Sequence, residues 1–286
     1  MAINNSLSKQ AEKKSFPAFM KQDVVLRNLS KTLGDETRKN RFVSSIISAV
    51  STNTALQDCD YNTIINSALL GEALNLSPSP QLGHFYMVPF KDTKQGRTVA
   101  TFQIGWKGYL QMAIRSGQYK HINVLSIKEG ELIKYDPLEE SIEISLIEDE
   151  EEREKANTIG YYAMFELVNG FKKSMYWSKK KMEAHAMKYS QGYKNDKAKG
   201  IKYTFWSKSF DDMAHKTMLR QLIGKWGIMS IEMQNAFTND MSFKDTATGE
   251  SVYVDNADAE FMDASFQIKE EPAAINPSPN EEPVLL

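Results

Sequence analysis

The chain has 286 residues and a formal net charge of −2, with 41% hydrophobic and 25% charged residues, a composition typical of a globular protein with one large or two small cores. Its apolar runs fall short of the roughly 20 residues that a membrane-spanning helix needs, and its N-terminus lacks the apolar stretch of a secretory signal, so membrane insertion and export are not expected. The single cysteine, Cys59, excludes an internal disulfide framework and a cysteine-based zinc site, which makes a reducing cytoplasm the expected compartment.

The first predicted elements are helices. Residues 1–36 are predicted to form a flexible N-terminal segment, ahead of a single domain over 37–249. Between Thr37 and Leu76 the apolar residues recur at spacings of three and four, which predicts two or three helices. The run Ser77–Pro80 ends that pattern, because proline lacks a backbone donor and restricts the residue before it. The helical part of the domain is therefore predicted to end at residue 80.

A β-rich core with further helices is predicted over 81–249. Leu82–Phe90 and Thr98–Ile104 are rich in β-branched and aromatic residues and flank a polar connection with a glycine, which predicts a hairpin. A short helix is predicted over Trp106–Ser116. Five more strands are predicted at His121–Ile127, Glu131–Tyr135, Ser141–Ile147, Thr158–Val168 and Lys172–Trp177.

The rest of the chain alternates charged and helical segments. The acidic run Glu148–Glu152 is predicted to be an exposed connection, because like charges do not pack together. Helices are predicted over Ser178–Tyr189 and Ser207–Trp226, with a mobile polar stretch at Ser190–Gly200 between them. Residues 250–286 are rich in Asp, Glu and Pro and have no apolar period, which predicts a disordered acidic tail. Helices followed by consecutive strands predict the α+β class.

The small net charge hides a strong asymmetry along the chain. The formal charge is +7 for residues 1–125, −8 for 126–155, +9 for 160–226 and −10 for 227–286. A positive body beside acidic segments favours a polyanionic partner such as nucleic acid, because charges add locally and are screened beyond about 8–10 Å. Solvated lysine-rich helices without a partner would give the same counts, so both interpretations stay open on charge alone.

The sequence contains no nucleotide-binding or metal-binding motif of the common kinds. A GxxxxGK[ST] loop, a GxGxxG after a strand and HExxH are all absent, which argues against an ATP-driven motor. The four histidines are scattered, and His185 is predicted to be a packed or surface residue rather than a metal ligand. Asp211 and Asp212 are adjacent on a helix and point about 100° apart, so stabilisation of the helix N-terminus is a simpler role for them than metal binding.

Two basic segments are candidates for anion binding. Ser178–Lys181 places three lysines in the first turn of a helix, where the helix dipole disfavours them by about 0.3 kcal/mol or more each. An external anion and surface solubility explain these lysines equally well. Lys202–Lys208 interleaves aromatic residues with cations, the combination that lets bases stack while phosphates are neutralised. The aromatic residues of this segment could equally belong to the core.

The helix that follows is predicted to have one packed face and one basic face. Trp206, Phe210 and further apolar residues at helical spacing belong to the core in this interpretation. Lys216 and Arg220 lie four residues apart on a neighbouring face, with Lys225 at the end of the helix. One side of the helix is therefore predicted to pack while another meets a nucleic-acid backbone.

A third candidate segment is Gln103–Tyr109, which surrounds a predicted strand-to-helix turn with glycines. Lys107 and Arg115 are eight residues apart and are predicted to share a face of the helix. The helix N-terminus would also offer backbone donors to a phosphate. Packing glycines with a buried Trp106 are the alternative, which the residues alone slightly favour.

Three segments resemble one known family. They are ALLGEALNLSPSPQLGHFYMVPF (68–90), QIGWKGYLQMAIRSGQ (Gln103–Gln118) and FWSKSFDDMAHKTMLRQLIGKW (Phe205–Trp226). They resemble, in the same order, segments of the phage RecT family of single-strand annealing recombinases, and the similarity covers Asn40 to Ile231. The resemblance implies that the chain comes from, or is closely related to a protein of, a prophage of a Gram-positive bacterium.

The resemblance implies an ATP-independent protein that binds single-stranded DNA, pairs it with a complementary strand and stays on the annealed duplex as rings or helical filaments. It also implies a bent antiparallel sheet packed on a long helix, and a 5′-to-3′ exonuclease as partner in the bacterial cytoplasm. A host single-strand-binding protein is a further candidate partner. No required cofactor and no covalent catalytic step are expected, with magnesium as a candidate modulator of DNA binding. Nothing carries over to the acidic insert at 148–154 or to the tail.

The residue patterns and the resemblance together define a predicted DNA-binding set: Gln103, Trp106, Lys107, Tyr109, Arg115, Lys179, Lys202, Tyr203, Phe205, Lys208, Lys216, Arg220 and Lys225. The predicted phosphate contacts are Lys107, Arg115, Lys208, Lys216 and Arg220, with Tyr203 or Trp106 supporting the bases or the groove wall. A structural DNA-binding protein without annealing activity is the alternative function. A magnesium-dependent nuclease is a weaker one, since no cluster of carboxylates is evident in the basic body.

Overall fold

A computed structural model describes residues 15–92, 95–244, 249 and 251–253. Within these ranges the chain forms the following helices: α1 (Phe16–Met20), α2 (Asp23–Leu33), α3 (Glu36–Thr52), α4 (Tyr61–Ala73), α5 (Trp106–Arg115), α6 (Glu150–Lys155), α7 (Lys179–Tyr189), α8 (Gln191–Lys199), α9 (Phe205–Lys208), α10 (Phe210–Trp226) and α11 (Ile231–Asn239), with a 3-10 helix at Thr54–Asp58. The strands are β1 (Phe85–Asp92), β2 (Arg97–Ile104), β3 (Tyr119–Lys128), β4 (Leu132–Asp136), β5 (Ser141–Ile144), β6 (Thr158–Leu167), β7 (Lys172–Ser178), β8 (Ser242–Lys244) and β9 (Ser251–Tyr253). The predicted α+β class is confirmed.

The N-terminal helices α1, α2 and α3 pack on one another, and α4 connects them to one sheet. α3, the 3-10 helix and α4 match the two or three helices predicted from the apolar spacing, and α4 packs on β1 and β2. The prediction of a flexible segment over 1–36 is corrected by α1 and α2, which bury Phe16, Met20, Leu29 and Leu33 in the core. In α2 the residues Val25, Leu29 and Leu33 follow one another at spacings of four, so a helical signal was present in the sequence. Residues 1–14 lie outside the described part of the chain.

The first sheet has the order β1-β2-β8-β9 and is antiparallel. β1 and β2 form the predicted hairpin, with Met87 paired to Phe102. Across the same row, Phe102 pairs with Ser242 and Ser242 pairs with Tyr253. β9 therefore lies at the edge opposite β1. It falls within the predicted acidic tail, whose residues 250 and 254–286 lie outside the described ranges.

The second sheet carries the long helix. β3, β6 and β7 are antiparallel, with β6 in the centre, and α10 packs across all three strands. Ala214, Met218 and Leu222 of α10 are completely buried in this contact region. The expected antiparallel sheet on a long helix is confirmed. The helix begins at Phe210 rather than Ser207, because Ser209 has a non-helical backbone (φ −141°, ψ 65°) that separates α9 from α10.

Two segments predicted as irregular are short helices. The acidic run lies in α6, where Asp149 caps the helix by accepting from the Glu152 amide (2.9 Å), and Arg153 bonds to the buried Glu131 carboxylate (2.6 Å). The acidic side chains at 148–152 are exposed, as predicted. The stretch predicted as mobile forms α8, which buries Tyr193 and Asp196.

Among the residues that the structure describes, no helix combines the length and the apolar character that crossing a bilayer requires.

Candidate nucleic-acid interface

Two segments that lie more than 100 residues apart in sequence meet at one surface. The indole Nε1 of Trp106, at the start of α5, donates to Oδ1 of Asp212 at the start of α10 (3.0 Å). The Trp106 ring also contacts His215 edge to face, with the ring centroids 5.6 Å apart. The first turn of α5 and the α9–α10 junction therefore form one continuous surface.

Aromatic side chains and lysines alternate along this surface. The Tyr86 ring lies 5.8 Å from the Phe205 ring, the Lys208 ammonium lies 5.4 Å from the centre of the Tyr203 ring, and the Lys107 ammonium lies 5.6 Å from the Trp106 ring. Tyr203 is 69% exposed and Phe205 is 38% exposed. We call this surface the cation–aromatic strip and define it by Tyr86, Trp106, Lys107, Tyr203, Phe205 and Lys208.

Glycines bring the parts of the strip together. A Cβ atom on Gly105 would overlap the carbonyl oxygen of Gly83, so only glycine allows the start of α5 to approach the turn before β1 this closely. The side chains of Tyr86 and Lys107 both lie over Gly83, within 3.4 Å of the position that its Cβ would take. The interpretation of Gly105 as a packing glycine is therefore right, and that packing is what places Lys107 beside Tyr86.

A buried carboxylate fixes the loop that carries Tyr203. Oδ2 of Asp196 accepts hydrogen bonds from the backbone amides of Tyr203 (3.0 Å) and Thr204 (2.7 Å) and from the Thr204 hydroxyl (2.8 Å). Burial opposes ionisation of this carboxyl, but the hydrogen bonds outweigh it and lower the pKa of Asp196 to about 2. The exposed Tyr203 ring thus stands on an ordered loop.

The N-terminus of α10 is anchored beneath the strip. Asp211 accepts hydrogen bonds from the Tyr161 hydroxyl (2.6 Å) and the Thr158 hydroxyl (3.1 Å) of β6. Both Asp211 and Asp212 lie in the first turn of the helix, which agrees with their predicted role at the helix N-terminus. The His215 ring contacts the Tyr161 ring edge to face. Burial lowers the pKa of His215, although the two aspartates oppose this shift.

Lys216 and Arg220 are not part of this surface, which corrects a central part of the predicted DNA-binding set. Only 6% of Lys216 and 8% of Arg220 are exposed. The Lys216 ammonium lies 2.9 Å from Oδ1 of Asp240, and the Arg220 guanidinium lies 3.1 Å from Oδ2. A buried cation that already faces a carboxylate is not available to a phosphate.

Tyr109 belongs to the same buried cluster. Its hydroxyl donates to Oδ2 of Asp240 (3.0 Å) and accepts from Arg220 (2.9 Å). Burial raises the pKa of Tyr109 well above its usual value, so the phenol stays protonated and keeps donating. We call Tyr109, Lys216, Arg220 and Asp240 the Asp240 cluster. Asp240 also accepts from the backbone amide of Ile104 (2.8 Å), so the cluster joins α5, β2 and α10 to the α11–β8 connection.

The remaining predicted residues lie in several places. Arg115 donates to the Leu74 carbonyl (2.7 Å) and pairs with Glu232 of α11 (3.0 Å), so it connects three elements at the far end of α5. The half-buried Gln103 donates to the Thr101 hydroxyl (3.3 Å) in β2. Lys179, Lys202 and Lys225 are exposed at the start of α7, before Tyr203 and in the last turn of α10 respectively. Of these three, only Lys202 adjoins the strip in sequence.

Of the predicted set, the structure brings together Trp106, Lys107, Tyr203, Phe205 and Lys208. Tyr86 is the member that sequence reasoning missed. Alternation along β1 buries Phe85 and Met87 on one face and turns Tyr86 to the other, and this alternation was the available signal. DNA contact by the exposed residues stays a prediction.

The surface combines exposed aromatic rings with lysines, the composition of surfaces that hold single-stranded nucleic acids without sequence preference. Comparison with known proteins gives the family. The RecT family model matches residues 40–253. The chain is 38% identical over 250 residues to the uncharacterized protein YqaK of Bacillus subtilis (strain 168), covering 82% of this chain and 79% of that protein. It is 26% identical over 251 residues to protein RecT of Escherichia coli (strain K12), covering 84% of this chain and 88% of that protein.

The chain belongs to the RecT family, as the resemblance predicted. Membership supports a role as a single-strand annealing protein in DNA recombination, and with it binding of single-stranded DNA. The matched region begins within α3 and ends at β9, so it includes the four-stranded and three-stranded sheets, the strip and the Asp240 cluster.

Proposed function

We propose that this chain is an ATP-independent annealing protein that holds single-stranded DNA along the cation–aromatic strip. The observation that supports this proposal is the meeting of exposed lysines and exposed aromatic rings from two distant segments, on a family background of single-strand annealing. Lysine neutralises phosphate without reading sequence, and every base has a face that can stack on an aromatic ring.

In the proposed mechanism, Lys107 and Lys208 hold the phosphates and Tyr203 supports the bases. Stacking engages the faces of the bases and leaves their Watson–Crick edges open to a complementary strand. The protein then needs no external fuel, because stacking in the annealed duplex contributes about 1.4 kcal/mol per base-pair step. Its task is to concentrate, align and retain the strands.

We further propose that many copies act side by side, as rings or helical filaments on DNA in the bacterial cytoplasm. One strip carries few cations, so holding a strand long enough to find its complement requires several copies in register. A 5′-to-3′ exonuclease would supply the single strand, and a host single-strand-binding protein would be a second partner. No cofactor is required in this proposal, and magnesium acts only by modulating DNA binding.

The test is an annealing assay with two complementary labelled oligonucleotides, without ATP and with or without magnesium. The full-length chain is expected to accelerate pairing, and the double variant Lys107→Ala, Lys208→Ala is expected to lose most of that acceleration. Binding without acceleration would indicate a structural DNA-binding protein instead. Degradation of the labelled strand would indicate a nuclease. Full acceleration by the double variant would remove the strip from the mechanism.

A further inference from the structure

The strip adjoins a region that is rich in exposed lysines. The described range 179–208 exposes nine lysines. Its two acids do not balance them: Glu183 is engaged with Lys197 (2.9 Å), and Asp196 is buried beneath Thr204. α7, α8 and α9, which carry most of these lysines, pack side by side. The region 179–208 therefore attracts anionic segments of any origin, and the chain carries such a segment itself.

The chain leaves the described fold at the sheet that carries Tyr86. Tyr253, Ser242, Phe102 and Met87 form one row across four adjacent strands. With neighbouring strands about 4.8 Å apart, Tyr253 lies about 14 Å from Met87, the residue next to Tyr86. Whatever follows Tyr253 in sequence therefore starts about 14 Å from the strand that carries Tyr86.

The sequence that follows is chemically matched to the strip. Residues 254–271, which lie outside the described ranges, read VDNADAEFMDASFQIKEE and contain six acids, one lysine and the aromatic residues Phe261 and Phe266. We call residues 254–271 the acidic–aromatic segment. Its carboxylates can face the lysines as phosphates would, and its rings can occupy the aromatic positions as bases would. Eighteen residues can span at most about 60 Å, so the 14 Å distance is well within reach.

We propose that the acidic–aromatic segment binds the cation–aromatic strip and competes there with single-stranded DNA. The inference rests on the proposed function, because it assumes that the strip is the DNA site. A tethered segment has an effective concentration of about 1 mM, so even an affinity on the order of 0.1 mM keeps the strip mostly occupied. A DNA strand that spans several copies of the chain displaces the segment, because the contacts of the strand add up across the copies. A short polyanion contacts only one copy, so the segment keeps it off the strip.

The first test compares DNA binding by two full-length variants with equal changes in charge. One carries Asp255→Asn, Asp258→Asn, Glu260→Gln and Asp263→Asn in the segment. The control carries Glu148→Gln, Glu150→Gln, Glu151→Gln and Glu154→Gln in and beside the exposed helix α6, leaving the capping Asp149 intact. Affinity for a labelled oligothymidine is measured from low to high salt.

The segment variant is expected to bind about tenfold more tightly than the natural chain at low salt, as a 1 mM effective concentration and an affinity near 0.1 mM imply. The difference in DNA affinity between the two proteins should vanish at high salt, because salt releases the segment from the strip. The DNA affinity of the segment variant should therefore depend more steeply on salt than that of the natural chain. The control should match the natural chain. Equal affinities for the natural chain and the segment variant, or an equal gain in the control, would overturn the proposal.

The second test does not depend on DNA binding. A carbodiimide joins a carboxylate directly to a lysine amine, and mass spectrometry of the treated full-length chain locates the links. Links are expected from residues 255–271 to Lys208, Lys202 or Lys107 within one chain, and they should disappear when oligothymidine is added. Absence of these links, or their persistence in the presence of bound DNA, would overturn the competition. Links that form in a chain that binds no DNA would instead show that the proposed function has failed while the contact exists.

Discussion

The Asp240 cluster and the cation–aromatic strip use the same kinds of residues for opposite purposes. Lys216 and Arg220 are buried around one carboxylate, with Tyr109 beside them, and they fix the C-terminal elements to the core. Lys107 and Lys208 are exposed beside aromatic rings and have no such structural task in the contacts described. A lysine or arginine close to an aromatic residue in the sequence therefore does not by itself predict DNA binding. The exposure of its side chain in the folded protein must also be known.

The comparison also separates two kinds of electrostatic contribution. Removing one partner of a buried ion pair strongly lowers the free energy of unfolding, because the other charge stays uncompensated in a medium of low polarity. An exposed lysine contributes little to folding and is available to an external anion. Substitutions in the two regions should therefore change different measured quantities.

The largest expected effect is that of Asp240→Ala on folding. Removing this carboxylate leaves Lys216 and Arg220 buried without it, which should lower the free energy of unfolding by about 3–5 kcal/mol. Denaturant titration followed by circular dichroism measures the loss. The matched control is Glu151→Ala, which removes the exposed partner of Lys155 and should change stability by about 0.5 kcal/mol or less. Losses of similar size in the two variants would contradict the structural role of the cluster.

Next in size is the effect of Tyr203→Ala on DNA affinity. Loss of the exposed ring should weaken binding of single-stranded DNA by about 1–3 kcal/mol, the contribution of one stacked base. Fluorescence anisotropy with an oligothymidine measures the change. Tyr203→Phe keeps the ring and should bind like the natural chain. Trp226→Ala removes an exposed ring outside the strip and should also leave affinity unchanged; equal losses at Tyr203 and Trp226 would refute a specific role for the strip.

A smaller effect is expected for the lysines of the strip. Lys107→Ala and Lys208→Ala should each weaken binding equally across DNA sequences and reduce the salt-dependence slope by about one. Folding stability should stay unchanged. Lys216→Met is the contrasting variant. It should lower the free energy of unfolding and leave the salt-dependence slope of DNA binding by the folded protein unchanged. A reduced slope in the Lys216 variant would return this residue to the DNA interface.

The last prediction concerns the loop before α9 and is measured as a change of folding stability on acidification. The pKa of Asp196 lies near 2 in the folded chain, below the ordinary value of 3.8. Its ionised form therefore adds stability that is fully present above pH 3.8 and is lost as the pH falls through 2. The difference in stability between the natural chain and Asp196→Asn should narrow below pH 4. A difference that stays constant between pH 5 and 2 would contradict the lowered pKa.

Much of the secondary structure could be predicted from local patterns. The β1–β2 hairpin, α5, the strands β3, β6 and β7 and the capped start of α7 all follow from side-chain period, turn residues and a serine cap. Other elements were not predicted. α2 was missed although Val25, Leu29 and Leu33 have helical spacing. α1, α8 and α11 are short and bury two or three side chains each, which leaves too few apolar positions to show a period.

The candidate site was predicted in part. The residue patterns of two segments and the family resemblance together predict Lys107, Tyr203 and Lys208 as site residues, and the structure places them at one surface. Alternation along β1 predicts that Tyr86 faces away from the core, but its contact with Phe205 joins segments more than 100 residues apart in sequence. The spacing of residues along the chain does not predict the contact between Tyr86 and Phe205.

By itself the sequence determined the class of fold, the family and the asymmetry of charge, since each depends on residue types and their order. Only the tertiary structure decided which cations are exposed. Lys216 and Arg220 lie on a face of α10 that looks available in a helical projection, but α11 and Asp240 cover that face. The covering carboxylate is 20 or more residues away in sequence, and burial depends on such distant contacts rather than on the period of a single helix.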